Sequence, residues 1–255
     1  HGLDSVYFVN SGTEAIEGAM KLARRVTGRT EILGLLGGYH GATTGALSLS
    51  TPSHRRNAFL PLLPDVAHLP FADERSLKQV TCRTAAVFAE TVQGDAGIRT
   101  LPTDYAKALR ARCDEVGALL VFDEIQCGLG RTGYLHAFEA LDIVPDVLVL
   151  GKALGGGMPI GAFVASQARM ATLRLAPKLG HITTFGGHPV ACAGAAAFLE
   201  ALDTVDLEKI RTQGEHWKMQ LAGHPAVCEV RGTGYFLGVD LDGPERVAAL
   251  VAAAR

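Results

Sequence analysis

One stretch decides the fold: Val147-Leu148-Val149-Leu150-Gly151-Lys152-Ala153-Leu154-Gly155-Gly156-Gly157. Four consecutive apolar residues are typical of a strand that is buried on both faces. A lysine two residues beyond such a strand lies at the end of the sheet, and the three glycines that follow allow a tight turn there. The stretch therefore predicts a buried strand over 147–150 that delivers Lys152 to its carboxyl end.

Four other apolar runs also end in polar or glycine-containing segments. The pairs are Leu119–Phe122 with Asp123, Ala85–Ala89 with Glu90, Ile32–Leu36 with Gly37-Gly38-Tyr39-His40-Gly41, and Val6–Val9 with Asn10-Ser11-Gly12-Thr13. Helical patterns lie between the runs, over Glu14–Val26 with Gly28 as its stop, and over Asp104–Val116 with Thr103 as its N-cap. Strands that alternate with helices predict an α/β fold with a mostly parallel sheet. Because the carboxyl ends of parallel strands meet at one edge, we expect these polar residues to form one site.

The pattern changes near residue 203. The segment Pro189–Leu202 is rich in alanine and glycine and is expected to pack closely against its neighbours, and a further helix is expected over Leu207–Leu221. A strand pair is expected at Cys228–Val230 and Phe236–Leu241. We predict a three-layer large domain over 1–202 and part of a small C-terminal α+β domain over 203–255.

Both ends of the sequence are interpreted as cut. The chain begins at His1, almost directly before its first strand, and ends in an Ala-rich helical segment over 247–255 that has no stop signal. We therefore expect a fragment of a longer protein, with the N-terminal part of the large domain missing.

Composition excludes several classes of protein. Hydrophobic residues make up 48% of the 255 residues, which predicts a sizeable core, and a net charge of −2 gives no reason to expect nucleic acid or an anionic membrane as the partner. No apolar stretch is long enough to span a bilayer and no signal peptide is visible. Five cysteines without a C-x-x-C pair indicate reduced thiols and a cytoplasmic protein. Nine histidines without a zinc-binding pattern predict no metal site.

A lysine, a carboxylate and a phosphate-sized loop at one sheet edge are what a pyridoxal phosphate (PLP) enzyme needs. Lys152, which we expect to be partly buried, would form the Schiff base, and Asp123 would keep the ring nitrogen protonated. The loop Ser11-Gly12-Thr13 opens a helix, where free amides and the helix dipole favour a phosphate.

Each of these features also has a plainer interpretation. Ser11 or Thr13 would then only cap a helix, Asp123 would cap the next turn, and Lys152 would be a surface lysine. Tyr39 either stacks on a cofactor ring or covers the core, and His40 is the one histidine that we place near the ligand.

The segment Gly128-Leu129-Gly130-Arg131-Thr132-Gly133 matches the dinucleotide pattern G-x-G-x-x-G. Four residues separate it from Asp123, and no helical pattern clearly follows it. We interpret it as a loop that shapes the mouth of the site. A nicotinamide dehydrogenase is an alternative that depends on this loop alone.

Taken together, the motifs resemble those of the class III aminotransferases, which have the fold-type I architecture of PLP enzymes. The matching strings are Asn10-Ser11-Gly12-Thr13-Glu14-Ala15, Gly38-Tyr39-His40-Gly41, Glu90-Thr91-Val92-Gln93-Gly94, Asp123-Glu124-Ile125-Gln126, Gly128 through Gly133, Gly151 through Gly157, and Thr184-Phe185-Gly186-Gly187-His188-Pro189. They cover positions 10 to 189 in the order typical of the family.

The resemblance implies a PLP-dependent transfer of an amino group from an amine or amino acid to a 2-oxo acid. It also implies a homodimer whose two sites lie at the interface. Lys152 and Asp123 are the catalytic residues it implies. The cofactor-binding residues are expected to be Ser11, Gly12, Thr13, Tyr39, His40, Glu90, Asp123, Gln126 at the ring oxygen, Lys152, and Thr184 at the phosphate of the partner's cofactor.

The sequence departs from the family pattern at two places. Members that act on distal amines often have arginine after the Tyr/Phe-His-Gly string, where this chain has Ala42, and Arg131 is a candidate substitute. Asp95 stands where many members have glutamate. Two alternatives therefore stay open: another PLP reaction, such as decarboxylation, racemisation or amino migration, and a truncated fragment without catalytic activity.

Overall fold

The main sheet has seven strands: β1 Ser5–Val9, β2 Glu31–Leu35, β3 Val66–Leu69, β4 Thr84–Glu90, β7 Leu119–Asp123, β8 Val147–Leu150 and β9 Gly161–Ala165. The structure is a computed structural model that describes residues 2–51, 53–175 and 177–254. The spatial order of the strands is β1-β9-β8-β7-β4-β2-β3. All neighbours pair in parallel except β9, which is antiparallel to both β8 and β1. The mostly parallel sheet predicted from the sequence is confirmed.

Eight α-helices and two small strand pairs complete the described chain. The helices are α1 Gly12–Thr27, α2 Thr44–Leu49, α3 Ser53–Arg56, α4 Thr103–Val116, α5 Gln167–Ala171, α6 Pro189–Leu202, α7 Leu207–Ala222 and α8 Pro244–Ala253. The pairs are β5 Val92–Gln93 with β6 Arg99–Thr100, and β10 Val227–Thr233 with β11 Phe236–Leu241. No helix in these ranges is long and apolar enough to cross a bilayer.

Local sequence determines where helix α1 begins and ends. Ser11 caps its start by accepting a hydrogen bond from the amide of Glu14, and the Glu14 carboxylate accepts one in return from the amide of Asn10 at 2.8 Å. Gly28 ends the helix in the left-handed conformation with φ +68°, which glycine adopts without a steric penalty. Between these ends, one apolar face is buried against the sheet.

The sheet lies between two helical layers because its strands bury both faces. Along β8, Val147 and Val149 pack in the cluster that contains the buried face of α1. The alternating Leu148 and Leu150 pack in the opposite cluster, together with buried residues of α4 and α6. This arrangement confirms the predicted three-layer α/β architecture.

One expectation about these elements is wrong, one holds at a single position, and two strands were missed. Thr103 is the first residue of α4, and its N-cap is Pro102. The close packing expected along α6 is found at Gly194, where an added Cβ would lie 2.8 Å from the carbonyl oxygen of Gly155, although few residues of this helix are buried. The strands β3 and β9 were not predicted from the sequence, since β3 is only partly buried and β9 begins at a glycine, a residue that weakens the strand pattern.

The region after residue 203 contains α7, the β10–β11 pair and α8. It contacts the loop over 128–133, where the amide of Tyr235 donates a hydrogen bond to the carbonyl of Arg131 at 3.0 Å. The guanidinium of Arg211 in α7 also donates to the carbonyl of Gly133. The domain boundary near residue 203 stays a prediction.

Candidate active site

A cavity of about 250 Å³ lies at the carboxyl edge of the main sheet. Its lining contains eight of the ten site residues predicted from the sequence. The full lining is Gly12, Thr13, Tyr39, His40, Gly41, Ala42, Glu90, Asp123, Ile125, Gln126 and Lys152. Ser11 and Thr184, the other two predicted residues, lie outside this lining.

Strand direction explains why these residues meet. The segments that carry them follow β1, β2, β4, β7 and β8, which all point the same way. Glu90 and Asp123 are register partners on β4 and β7, so their side chains emerge side by side. The antiparallel strand β9 lies between β1 and β8. The segments that follow β1 and β8 nevertheless meet, because a Cβ added to Gly151 would lie 3.4 Å from the Cα of Gly12.

One end of the cavity is suited to an anion. The amides of Gly12 and Thr13, at the start of the 16-residue helix α1, donate no hydrogen bond to any described residue. The backbone of Gly41, with φ +134°, approaches so closely that a Cβ there would lie 2.3 Å from Thr13 Oγ1. Free amides at a helix N-terminus attract phosphate groups. Because Gly41 has no side chain, its backbone can lie close to Thr13 without covering these amides. The Ser11 hydroxyl is used for the helix cap, where it accepts from Glu14.

A buried ion pair lies on the opposite side of the cavity. Asp123 Oδ2 is 2.8 Å from His40 Nδ1, and Asp123 Oδ1 accepts a hydrogen bond from the amide of Ile125 at 3.0 Å. Burial alone would lower the pKa of His40, but the hydrogen bond and charge of Asp123, with the charge of Glu90, outweigh burial and raise it. The buried carboxylate of Asp123 thus has a hydrogen-bonded partner in His40 within the protein itself.

Glu90 organises the backbone around this pair. Its two carboxylate oxygens accept hydrogen bonds from the amides of Tyr39 at 2.9 Å and Gly94 at 3.1 Å. Burial raises the pKa of Glu90 to about 7, with the charge of Asp123 adding to the effect and that of His40 opposing it. Glu90 thus ties the loop after β2 to the loop after β4.

Tyr39 and Gln126 form two walls of the cavity. The Tyr39 ring is half-buried and lies beneath the guanidinium of Arg55, whose Cζ is 4.8 Å from the ring centroid. Gln126 is exposed and lies against the backbone of Gly94, where a built Cβ would be 2.3 Å from Gln126 Oε1. An aromatic ring and a side-chain amide on one lining suit a planar ligand ring that carries a polar substituent.

Lys152 has a strained backbone at the rim of the site. Its φ of +44° lies in the left-handed region, which costs about 1–2 kcal/mol for a residue with a side chain. It begins the short 3₁₀ turn Lys152–Gly155 directly after β8. The expectation that Lys152 is partly buried is wrong for this chain, since the residue is exposed.

A second cavity of about 660 Å³ shares Ile125, Gln126 and Lys152 with the first. Most of its wall is apolar, and the loop over 128–133 forms one side of it. That loop therefore lies beside the site, as the sequence predicts, and no α-helix begins directly after it.

Sequence reasoning missed several residues around the site. Ile125 packs between the two cavities, and Ala42 and Gly41 complete the wall next to Thr13. Arg55 and Gly94 were also overlooked as site residues. Gly41, Gly94 and Ile125 lie in segments that the sequence singles out, but only the folded chain shows that they border the cavity. Nothing in the sequence near Arg55 signals its place beside Tyr39.

Two further predictions concern residues outside the cavity. Thr184 is exposed and lies in the segment before α6. Within the ranges that the structure describes, no three His, Cys, Asp or Glu side chains are grouped so that they could hold a metal ion.

Comparison with known proteins adds independent information. A sequence profile of the family described as aminotransferase class-III matches residues 1–255. The acetylornithine aminotransferase of Methanopyrus kandleri is 43% identical over 251 residues, which cover 96% of this chain and 63% of that protein. The enzyme of the same name from Streptomyces coelicolor is 46% identical over 244 residues, which cover 94% of this chain and 60% of that protein.

A solved structure supports the same relationship. The ornithine aminotransferase from Toxoplasma gondii, described with partial occupancy of PLP at its active site, superposes with a TM-score of 0.88 at 33% identity. The match covers 94% of this chain and 60% of that one. The chain thus spans about three fifths of the length of the proteins it matches.

Proposed function

Since this chain belongs to the class III aminotransferase family, we propose that it carries the cofactor site of a PLP-dependent aminotransferase. The reaction moves an amino group from an amine or amino acid to a 2-oxo acid. One observation carries the proposal: Lys152, Asp123 and the free amides at the start of α1 line a single cavity.

The residues present fit PLP. The amides of Gly12 and Thr13 supply donors for a dianionic phosphate, and the ring of Tyr39 supplies a stacking face. The buried carboxylate of Asp123 matches a protonated ring nitrogen, and the Gln126 side-chain amide can donate to the ring oxygen. When bound, PLP supplies an aldehyde carbon that amines attack and a ring that withdraws electrons from the substrate.

Lys152 supplies the amine on the described lining of this cavity. Its Nζ would hold the cofactor through the aldehyde carbon. When free, Nζ would act as the general base that takes the proton from the substrate carbon, and then as the general acid that delivers this proton to the former aldehyde carbon.

Asp123 and His40 are the residues that would set the protonation of the cofactor's ring nitrogen. An opposite charge at contact distance shifts a pKa by about 1–3 units, or about 1.4–4 kcal/mol. Asp123 would hold the ring nitrogen of the bound cofactor in its protonated form. His40, paired with Asp123 at 2.8 Å, keeps that carboxylate oriented.

The proposal includes a homodimer in which Thr184 reaches the phosphate of the cofactor in the partner subunit. Thr184 lies between two exposed apolar side chains, Ile182 and Phe185, each 65% exposed in this chain. Apolar side chains this exposed favour coverage by another subunit. We also propose a cytoplasmic location, supported by five cysteines that form no disulfide, of which Cys113 and Cys127 are buried.

Absorbance and mass spectrometry test the function. The chain is titrated with PLP, reduced with borohydride and digested, and the variant Lys152→Ala is compared with Lys107→Ala, which removes a half-exposed lysine paired with Asp142. We expect a visible band and a cofactor adduct on the peptide that contains residue 152, in the unmodified chain and in Lys107→Ala. We expect neither signal in Lys152→Ala.

An amine added to the loaded chain should then abolish the visible band and leave the nitrogen on the cofactor. An unchanged adduct in Lys152→Ala would disprove the role of this lysine. Retention of the band with every amine tested would disprove the transfer reaction.

A further inference from the structure

Hydrogen bonds connect the start of helix α1 with the loop that precedes α2. Thr13 Oγ1 lies 2.8 Å from Thr43 Oγ1, and the hydroxyl of Thr43 donates to Glu17 Oε1 at 2.6 Å. The amide of Thr43 also donates to Thr13 Oγ1 at 3.2 Å. Thr13 lines the proposed cofactor cavity, whereas Thr43 and Glu17 lie outside its described lining. These two residues therefore contact the site only through Thr13.

Glu17 is fixed in place by the first turn of α2. Its Oε1 also accepts hydrogen bonds from the amides of Gly45 at 2.9 Å and Ala46 at 3.3 Å. A Cβ at position 45 would collide with the Glu17 carboxylate, so this approach requires a glycine there. Thr43 is the N-cap residue of α2, but its side chain makes no capping hydrogen bond. Glu17 thus caps α2 instead, and the Thr43 hydroxyl is directed towards α1.

The number of hydroxyl hydrogens decides the direction of these bonds. A carboxylate can only accept, so the one hydroxyl hydrogen of Thr43 is used on Glu17. In the contact between the two hydroxyls, Thr13 must therefore be the donor and Thr43 the acceptor. The one hydroxyl hydrogen of Thr13 is then directed at Thr43 and away from a ligand in the cavity.

A phosphate in the cavity would compete with Thr43 for this hydrogen. The amides of Gly12 and Thr13 donate to no described residue and can bind phosphate oxygens directly. The Thr13 hydroxyl can donate to the same phosphate only after it leaves Thr43. This exchange gives up one hydrogen bond, which corresponds to a loss of about 2- to 10-fold in affinity relative to a hydroxyl that is free.

We infer that Thr43 is a positioning residue that lowers the affinity of the site for phosphate by holding the hydroxyl of Thr13, and that Glu17 keeps Thr43 in its accepting orientation. The inference rests on the proposed PLP-dependent function and deepens it, since it concerns the phosphate end of the same cavity. It predicts that removal of the Thr43 hydroxyl strengthens PLP binding. A residue that only supports the loop would have the opposite effect or none.

Titration of Thr43→Val with PLP tests the inference. Valine keeps the shape of threonine and the backbone amide but offers no acceptor, so the Thr13 hydroxyl becomes free to donate to the phosphate. We expect PLP to bind about 2- to 10-fold more tightly than to the unmodified chain, as measured by visible absorbance. Thr43→Ser retains the hydroxyl and should bind PLP as the unmodified chain does. The control Thr44→Val makes the same change at the neighbouring exposed threonine and should leave the affinity unchanged.

Two further measurements assign the gain to the hydroxyl and the phosphate. Pyridoxal, which lacks the phosphate, should bind equally well to Thr43→Val and to the unmodified chain. In the double variant Thr13→Val/Thr43→Val, the affinity for PLP should equal that of Thr13→Val, because the gain requires the hydroxyl of Thr13.

The possible failures are distinguishable. If the unmodified chain takes up no PLP, the proposed function falls and the inference falls with it. If PLP binds, and Thr43→Val binds it no more tightly than Thr44→Val does, the inference alone is overturned. It is also overturned if Thr43→Val gains as much with pyridoxal as with PLP, or if the gain persists without the Thr13 hydroxyl.

Discussion

At the scale of the residue, the charge of Asp123 is the feature on which the cofactor site depends most. Asp123 is 3% exposed and pairs with His40, a residue 83 positions earlier in the chain. A buried carboxylate is costly unless it is paired, and the His40 partner offsets that cost in the protein alone. The carboxylate is therefore fixed in position by contacts within the protein alone.

Replacing Asp123 by asparagine tests this charge. The amide keeps the size of the side chain and its acceptor for Ile125, but it cannot hold a ring nitrogen protonated. We expect the rate of amine-dependent loss of the visible band to fall about 10- to 1,000-fold, which corresponds to a shift of about 1–3 pKa units. Stopped-flow absorbance measures this rate, and circular dichroism checks that the variant folds.

The matched control is Asp114→Asn, which removes an exposed carboxylate paired with Arg110. It should have the rate of the unmodified chain. A normal rate in Asp123→Asn would show that the ring nitrogen has no need of this carboxylate.

His40 and Glu90 predict how stability depends on pH. Both groups have a raised pKa in the folded chain, that of Glu90 reaching about 7. At these two groups the folded state therefore binds more protons than the unfolded state, and their contribution to stability is lost as pH rises through the folded pKa values. We expect this contribution to the free energy of unfolding to fall between pH 5 and 8, by up to about 1.4 kcal/mol per pH unit for each proton, whereas the lowered pKa values of His68, His136 and His181 act in the opposite direction.

Urea denaturation at pH 5, 6, 7 and 8 measures this slope. In His40→Gln the slope above about pH 6.5 should flatten, since the unfolded histidine titrates near that value. His216→Gln, which changes an exposed histidine of α7, should retain the slope. An equal slope in His40→Gln and His216→Gln would contradict the raised pKa of His40.

At the scale of the element, helix α1 connects fold and function through its two ends. Gly28 at its C-terminus has φ +68° and open space around it. Gly41, in the loop that packs on its N-terminus, has φ +134°, and a Cβ there would lie 2.3 Å from Thr13 Oγ1. Both glycines adopt a backbone that disfavours side chains, but only Gly41 borders the cavity.

Alanine at Gly28 and at Gly41 should separate the effect of backbone strain on stability from the effect on PLP binding. Gly28→Ala should cost about 1–2 kcal/mol of stability and leave PLP affinity unchanged, because only backbone strain is added. Gly41→Ala should cost more than that and also weaken PLP binding, because the new methyl group displaces Thr13. Thermal denaturation and PLP titration measure both quantities. Equal PLP affinity in the two variants would exclude this end of α1 as the phosphate site.

Sequence patterns predict elements well where the strands are buried on both faces. Val147–Leu150 was predicted with its observed bounds, and Leu119–Phe122 differs from β7 only by Asp123. Continuous apolar runs identify such strands because both faces lie against helices. The strand β9 is also largely buried but escaped prediction, because it begins at a glycine and a glycine weakens the strand pattern.

At the scale of the whole molecule, the proposed dimer would cover residues that are exposed in the single chain. Thr184 is exposed and outside the described lining of its own cavity. If it serves the site of the partner subunit, Thr184→Ala should weaken PLP binding about 10-fold through loss of a hydrogen bond to the phosphate. The control Thr204→Ala removes a hydroxyl that only bonds to the carbonyl of Ala201.

Sedimentation velocity with PLP titration gives the two readouts together. We expect a dimer, with PLP affinity reduced in Thr184→Ala alone. A monomer that binds PLP equally well in both variants would contradict shared sites.

The sequence by itself determined the layered fold and most of the site. Buried parallel strands appear in the sequence as local apolar runs. Because their carboxyl ends meet at one edge of the sheet, Lys152, Asp123 and Glu90 could be placed together. Only the tertiary structure decided that His40 supports Asp123, that Lys152 has a left-handed backbone and is exposed, and that Arg55 meets Asp95 above Tyr39. These contacts join segments distant in the chain, and their geometry depends on strand order and loop packing, which no local pattern encodes.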